Sequence, residues 1–231
     1  MKVINISKIC SIALTVILSL LPGCCKEEAE NEIEYSYIDD IEGNGYKTVK
    51  IGSQWWMAQN LRTTKYNDNT SISYFEDNDH WVSDISGAYC WYFNVIPEEL
   101  KYGALYNWYA VNTGKLCPTG WHVPTYTEWT TLINFVGGYD AYKLREKGTA
   151  NWDGNPDGTD EYGFTALPGG CRYYETGEFL QHNAYGFWWS STEIEVETAY
   201  VLEIFLWLEY ASVDGYWGKK NNGLSVRCMK D

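Results

Sequence analysis

The clearest hydrophobic pattern in the chain lies between residues 125 and 136. Apolar residues recur there at positions i, i+3, i+4 and i+7: Trp129, Leu132, Ile133 and Val136. This spacing places them on one face of an α-helix. Thr125, followed three residues later by Glu128, forms the capping box that begins a helix, and Gly137 suits its end. The pattern therefore predicts a helix over 125–136 with one buried face.

Shorter patterns predict a second helix and several strands. A cap at Asp140 and a stop at Gly148 predict a helix over 140–147. Short apolar or alternating runs predict strands at 46–51, 54–61, 163–167, 187–191, 198–205 and 224–229. Polar residues without periodicity predict a long loop at 64–87. We expect one α+β domain over 41–231, with mostly short antiparallel strands and two helices.

The motif around the first helix resembles that of a known family. Residues 120–132 read Gly-Trp-His-Val-Pro-Thr-x-x-Glu-Trp-x-x-Leu. This resembles the signature of the Fibrobacter succinogenes major paralogous domain, found in surface proteins of Bacteroidetes. Further matching pieces accompany it in the family's order, at 46–52, 56–61, 102–108, 163–170, 188–192 and 223–228. The resemblance implies a fold related to the C-type lectin-like and sulfatase-modifying (formylglycine-generating) domains, and it implies no known ligand.

Four cysteines lie within the expected domain, an even number that is typical of disulfides in an exported protein. They allow three pairings, and their spacing excludes a Cys-x-x-Cys redox or zinc site. In C-type lectin-like folds a disulfide joins the region of the first helix to the last strand. The resemblance therefore implies the pairs Cys117–Cys228 and Cys90–Cys171.

The N-terminal residues have the pattern of an export signal. Lys2 and Lys8 precede an apolar run over 9–21, which is too short to span a bilayer and is typical of a signal peptide. The run leads into Leu-Pro-Gly-Cys at 21–24, which resembles the lipobox of bacterial lipoproteins. We expect a signal peptide over 1–23 and a lipid on Cys24. The alternative is an ordinary signal peptide that happens to contain a cysteine.

The residues after Cys24 are acidic and predict a tether over 24–40. Cys-Lys-Glu-Glu at 25–28 resembles the surface-export signal of Bacteroidetes lipoproteins. A solvated acidic tether explains the same residues, and both interpretations are compatible. The expected location is the outer membrane, with the domain facing the cell exterior.

Charge and composition limit the classes of ligand that we expect the protein to bind. The formal net charge of −14 disfavours phosphate backbones, so nucleic acid is not expected. No glycine-rich phosphate loop precedes a helix, so nucleotides are not expected either. The acidity is compatible with calcium and with neutral glycans, and also with simple solubility.

A polar loop over 151–162 is the candidate cation site. Its side-chain oxygens suit calcium and come from Asp153, Asn155, Asp157, Asp160 and Glu161. The spacing is not that of an EF-hand, and the triplet Asn-Pro-Asp at 155–157 does not match the sugar-binding triplets of C-type lectins. Structural calcium and a solvated loop both remain open.

Two tryptophan pairs are candidate platforms for ligand stacking. Adjacent residues of a strand point to opposite faces. One ring of each pair is therefore expected in the core, and the other is a candidate platform at the surface, among Trp55, Trp56, Trp188 and Trp189. The alternative is that most of these rings lie in the core.

Catalytic patterns are weak. The sulfatase-modifying relatives use two reactive cysteines near the C-terminus, whereas Cys228 stands alone there. Ser190 and Ser191 lack a nucleophile-elbow motif, and the histidines show no metal-ligand spacing. We therefore expect a non-catalytic binding or adhesion module for a polysaccharide or a cell-surface protein. The alternatives are an enzyme on the sulfatase-modifying scaffold and a purely structural surface protein.

Overall fold

The computed structural model describes residues 32–95, 100–138, 140–148, 150–154, 157–206 and 211–231. Within these ranges, residues from Ile33 to Asp231 belong to one compact unit. None of the helices described there is long and apolar enough to cross a membrane. The expected signal peptide over 1–23 and the expected lipidation site at Cys24 lie outside the described residues.

A five-stranded sheet has the order β1-β2-β3-β13-β7, with antiparallel neighbours. Its strands are β1 (Tyr35–Asp39), β2 (Gly45–Ile51), β3 (Gln54–Met57), β7 (Trp121–His122) and β13 (Met229–Lys230). The tether prediction is wrong for residues 35–39, because they pair with β2 along their whole length. The sheet thus joins strands from both ends of the domain.

The other sheets are smaller. One contains β10 (Tyr185–Glu195), β11 (Thr198–Phe205) and β12 (Ala211–Asp214) in an antiparallel arrangement. A second contains β4 (Ser73–Tyr74), β5 (Ala88–Cys90) and β6 (Leu105–Tyr106), in which β4 and β5 are parallel. The last pairs β8 (Cys171–Arg172) with β9 (Phe179–Leu180). The described chain is therefore α+β with mostly short antiparallel strands.

Three α-helices lie in the described residues: α1 (Asn78–Ser83), α2 (Trp108–Val111) and α3 (Tyr126–Val136). The prediction of α3 is confirmed. The capping box between Thr125 and Glu128 is present, and Gly137 ends the helix with a φ of +112°. The predicted apolar face is buried. Local signals and packing therefore agree along this helix.

Two sequence predictions about helices are wrong. Only one 3₁₀ turn, Ala141–Lys143, forms in the stretch 140–147. Beyond it the chain pairs with Ala166, whose N–H donates to Leu144 and whose carbonyl accepts from Glu146. This pairing uses the backbone N–H and carbonyl groups that a longer helix would need for its own hydrogen bonds. The predicted loop over 64–87 also contains β4 and α1.

The core is rich in tryptophan. Trp129 of α3 stacks on Trp56 with ring centroids 4.7 Å apart, and both rings meet the edge of Phe164. Arg227 is buried among these residues and donates to Asn60 Oδ1 and to the carbonyls of residues 164 and 165. A charge is thus held in the interior by carbonyl dipoles and aromatic faces.

The cysteine prediction is half correct. A disulfide joins Cys117 to Cys228, with Cα atoms 5.9 Å apart. The predicted Cys90–Cys171 bridge is wrong, since both thiols are free and buried. Cys90 packs in a small cluster with Trp81, whereas Cys171 packs in the largest cluster. Burial raises the pKa of each thiol to about 12.

Candidate functional site

A groove of about 350 Å³ crosses one face of the five-stranded sheet. This volume lies in the range of small-ligand sites. Every strand of the sheet contributes to the lining, which consists of Ser36, Tyr37, Ile38, Thr48, Trp55, Thr119, Gly120, Trp121 and Lys230. We call this feature the sheet groove.

Strand register explains why distant residues meet in the sheet groove. Met229 pairs with Trp56, so the next antiparallel pair places Lys230 opposite Trp55. Lys230 also pairs with Trp121 on its other side. Directly opposed residues share a face. The result is a row of Trp55, Lys230 and Trp121 on one face of the sheet, whose outer strands are about 10 Å apart at the usual strand spacing.

The two indoles of this row are only partly buried. Trp55 and Trp121 are both half-buried, and Lys230 is exposed. Trp121 packs at the margin of the largest core cluster. Each ring therefore keeps part of its surface for contact with a ligand.

Thr48 adds an unpaired polar group to the groove lining. Its side chain is 1% exposed, and its hydroxyl oxygen has no hydrogen-bond partner in the described structure. Leaving such a group unpaired costs about 1–3 kcal/mol. The oxygen is itself buried, so it lies beneath the surface of the groove.

The far edge of the groove is anchored to α3. His122 Nδ1 lies 2.6 Å from Asp231 Oδ1, and His122 Nε2 lies 3.1 Å from both oxygens of Glu128. Burial lowers the pKa of His122, but these two carboxylates outweigh it and the net pKa is raised. The Cys117–Cys228 disulfide links the same two chain regions. Trp121 and Lys230 are thereby held next to each other.

Three of the four candidate stacking residues lie in the core and are excluded as stacking platforms. The pair at 55–56 divides between core and surface as expected, whereas neither ring of the pair at 188–189 lies at the surface. Trp56, Trp188 and Trp189 are 0% exposed. The indole N–H of Trp188 donates to Asn60 Oδ1 at 2.8 Å, and that of Trp189 donates to the Tyr106 carbonyl at 2.7 Å. Of the predicted residues, only Trp55 reaches a groove.

The predicted calcium residues do not form an assembled site in the described part of the loop. Asp160 accepts hydrogen bonds from the N–H and the hydroxyl of Thr165, and Glu161 lies 3.8 Å from the ammonium of Lys143. Asp153 and Asp157 are exposed, and Asn155 lies outside the described residues. Within the described residues, no group of three or more His, Cys, Asp or Glu side chains is placed to hold a metal ion. Calcium binding at 151–162 stays a prediction.

Sequence reasoning missed Thr48, Trp121 and Lys230 as site residues. In the sequence, Trp121 is recognisable only as part of a family motif. Lys230 belongs to a strand of two residues, which is too short to give a pattern. Their common position depends on pairing between strands far apart in the chain. No local pattern reports that pairing.

Comparison with known proteins identifies the family. The sequence profile of the Fibrobacter succinogenes major domain matches residues 49–230. This confirms the resemblance seen in the motifs. No curated protein matches the chain, and no solved structure matches it.

Proposed function

The chain belongs to the Fibrobacter succinogenes major domain family, and on that premise we propose that it is a non-catalytic, surface-anchored binding module for polysaccharides. The sheet groove is the proposed site. The observation that carries the proposal is the presence of two half-buried tryptophans, Trp55 and Trp121, on the strands to either side of Lys230 in one groove.

The chemistry of the groove suits a sugar chain. Sugar rings present C–H faces that stack on indoles, while their hydroxyls form hydrogen bonds at the ring edge. Trp55 and Trp121 supply two faces about 10 Å apart. A groove that crosses all the strands of a sheet accommodates several linked sugars better than one compact molecule.

The proposed attachment is a lipid on Cys24 in the outer membrane, with the domain facing outward. Eight residues separate Cys24 from Ile33, where the compact unit begins. A fully extended segment of this length reaches at most about 27 Å. The module would therefore work close to the membrane surface.

We assign the domain to the C-type lectin-like group of folds. The Cys117–Cys228 disulfide supports this assignment, since it joins the approach to α3 with the last strand. The familiar calcium-dependent sugar site of lectins is not part of the proposal, because the sheet groove contains no carboxylate among its described lining residues.

The alternative of an enzyme on the sulfatase-modifying scaffold is less well supported. That chemistry needs reactive thiolates, which form when a thiol pKa is near or below neutral. Cys90 and Cys171 are buried, and their pKa values of about 12 keep both as thiols at neutral pH.

A glycan array tests the proposal. The chain from residue 26 onward, without the lipid-bearing Cys24, would be screened against polysaccharides with calcium and with EDTA. We expect binding in both conditions, and replacing Trp55 or Trp121 by alanine should weaken it at least about tenfold, as removing a central aromatic anchor does. Tyr216→Ala is the control, because Tyr216 is 85% exposed and lies outside the groove lining.

Three results would contradict this function. Binding that EDTA abolishes would move the site to the 151–162 loop. Binding unchanged by both tryptophan substitutions would remove the sheet groove as the site. No binding to any polysaccharide would leave a cell-surface protein as the better candidate partner.

A further inference from the structure

We infer that the sheet groove selects anionic polysaccharides, whose sugars carry a carboxylate or a sulfate ester. This inference rests on the proposed function and names the ligand class of the same groove. It is carried by the charge of the groove lining and by the position of Lys230 between the two indoles.

The charge of the groove is opposite to that of the chain. The chain has 31 acidic and 17 basic residues. Of the nine residues that line the groove, one is charged, and it is Lys230. Since no carboxylate is among the described lining residues, Lys230 gives the lining a net positive charge, which suits an anion.

The ammonium of Lys230 is not neutralised by the protein. Many lysines of the described chain contact a carboxylate, including Lys50, Lys115, Lys143, Lys219 and Lys220. Lys230 makes no ion pair with any described residue. Its charge is therefore available to a ligand.

The neighbouring charges do not cancel that of Lys230. Asp231 follows Lys230, and strand alternation turns its side chain to the other face, where Oδ1 meets His122 Nδ1 at 2.6 Å. Lys50 lies beside Trp55 in the register, and its ammonium lies 3.1 Å from Glu34. This pair contributes little net charge next to the groove.

The geometry sets where the anion lies. Trp55 and Trp121 stand two strand spacings apart, about 10 Å, with Lys230 midway. Two sugars stacked on the indoles would leave an intervening group above the ammonium. Lysine is a compact point charge rather than a bidentate fork, so it accepts either a carboxylate or a sulfate.

Probes that share a sugar backbone and differ in charge test the inference. The full processed chain would be titrated with polygalacturonate and its uncharged methyl ester, and with dextran sulfate and dextran. In at least one of the two pairs, we expect the charged polysaccharide to bind about fivefold more tightly than its neutral partner at low salt. A difference of this size is what an exposed ion pair contributes. Salt should reduce the preference. The two pairs distinguish carboxylate from sulfate recognition.

Variants of Lys230 complete the test. Lys230→Gln should abolish the preference for the charged probe over its neutral partner, and Lys230→Arg should retain it. Lys147→Gln is the matched control, because Lys147 is exposed and lies outside the groove lining.

The outcomes separate the two proposals. Equal binding of charged and neutral probes that depends on Trp55 would overturn the anionic preference and leave the proposed function intact. A charge preference that survives Lys230→Gln would also overturn this inference. Binding of no probe in either pair would count against both.

Discussion

Replacing Glu203 by glutamine makes a testable change in the pH dependence of stability. Glu203 lies in β11 opposite Phe187 and Ser212, and its side chain is 2% exposed. Burial raises the pKa of this carboxyl group to about 9, and the nearby carboxylate of Asp214 adds to the rise. Glu203 therefore stays protonated at neutral pH in the folded protein.

The sign and size of the effect follow from proton linkage. The unfolded carboxyl group has a pKa of 4.5, so between 4.5 and about 9 the folded state holds a proton that the unfolded state has lost. Stability from this group is fully present below pH 4.5 and falls as pH rises, by up to about 1.4 kcal/mol per pH unit. From pH 5 to pH 8 the loss reaches about 4 kcal/mol.

Denaturant titrations at pH 5, 6, 7 and 8 measure this slope. The free energy of unfolding of the wild type should fall relative to that of Glu203→Gln, because glutamine keeps the shape and does not titrate. Asp214→Asn is the companion variant and should end the fall at a lower pH, since it removes a carboxylate that raises the pKa of Glu203. A difference between wild type and Glu203→Gln that stays constant with pH would refute the reasoning.

Two further predictions concern stability. Replacing Cys117 and Cys228 together by serine opens a loop of 111 residues. We expect the free energy of unfolding to fall by about 5 kcal/mol in non-reducing denaturant titrations. A loss below about 1 kcal/mol would contradict this prediction. Replacing Arg227 by methionine leaves the carbonyls at 164–165 without their donor, and we expect a loss of about 3 kcal/mol by thermal or chemical unfolding. Lys147→Met, on the surface, should change stability by less than about 0.5 kcal/mol, and an equal effect of both variants would refute the role of Arg227.

Local sequence signals predicted α3 well because its determinants lie within the element. The capping box at Thr125, the spacing of the apolar face and the glycine at 137 act over one to four residues. The helix predicted over 140–147 had similar local signals and did not form. There the backbone groups of residues 144–146 pair with Ala166, which lies about twenty residues further along the chain.

The cysteines show the same limit. The even number of cysteines and the expected export of the protein predicted disulfides. The family resemblance implied the pair Cys117–Cys228, which the structure contains. The second pair does not form, because Cys90 and Cys171 pack in different hydrophobic clusters. Counting cysteines carries no information about which cluster receives each side chain.

The sequence by itself determined the family, the α+β class and the main helix. Tertiary structure alone decided which indoles remain accessible. Trp55, Trp121 and Lys230 come from three distant parts of the chain and meet only through the register of β3, β13 and β7. A shift of one residue in that register would turn these side chains to the other face of the sheet. Such pairing is set by the packing of the whole sheet, so no single stretch of sequence predicts it.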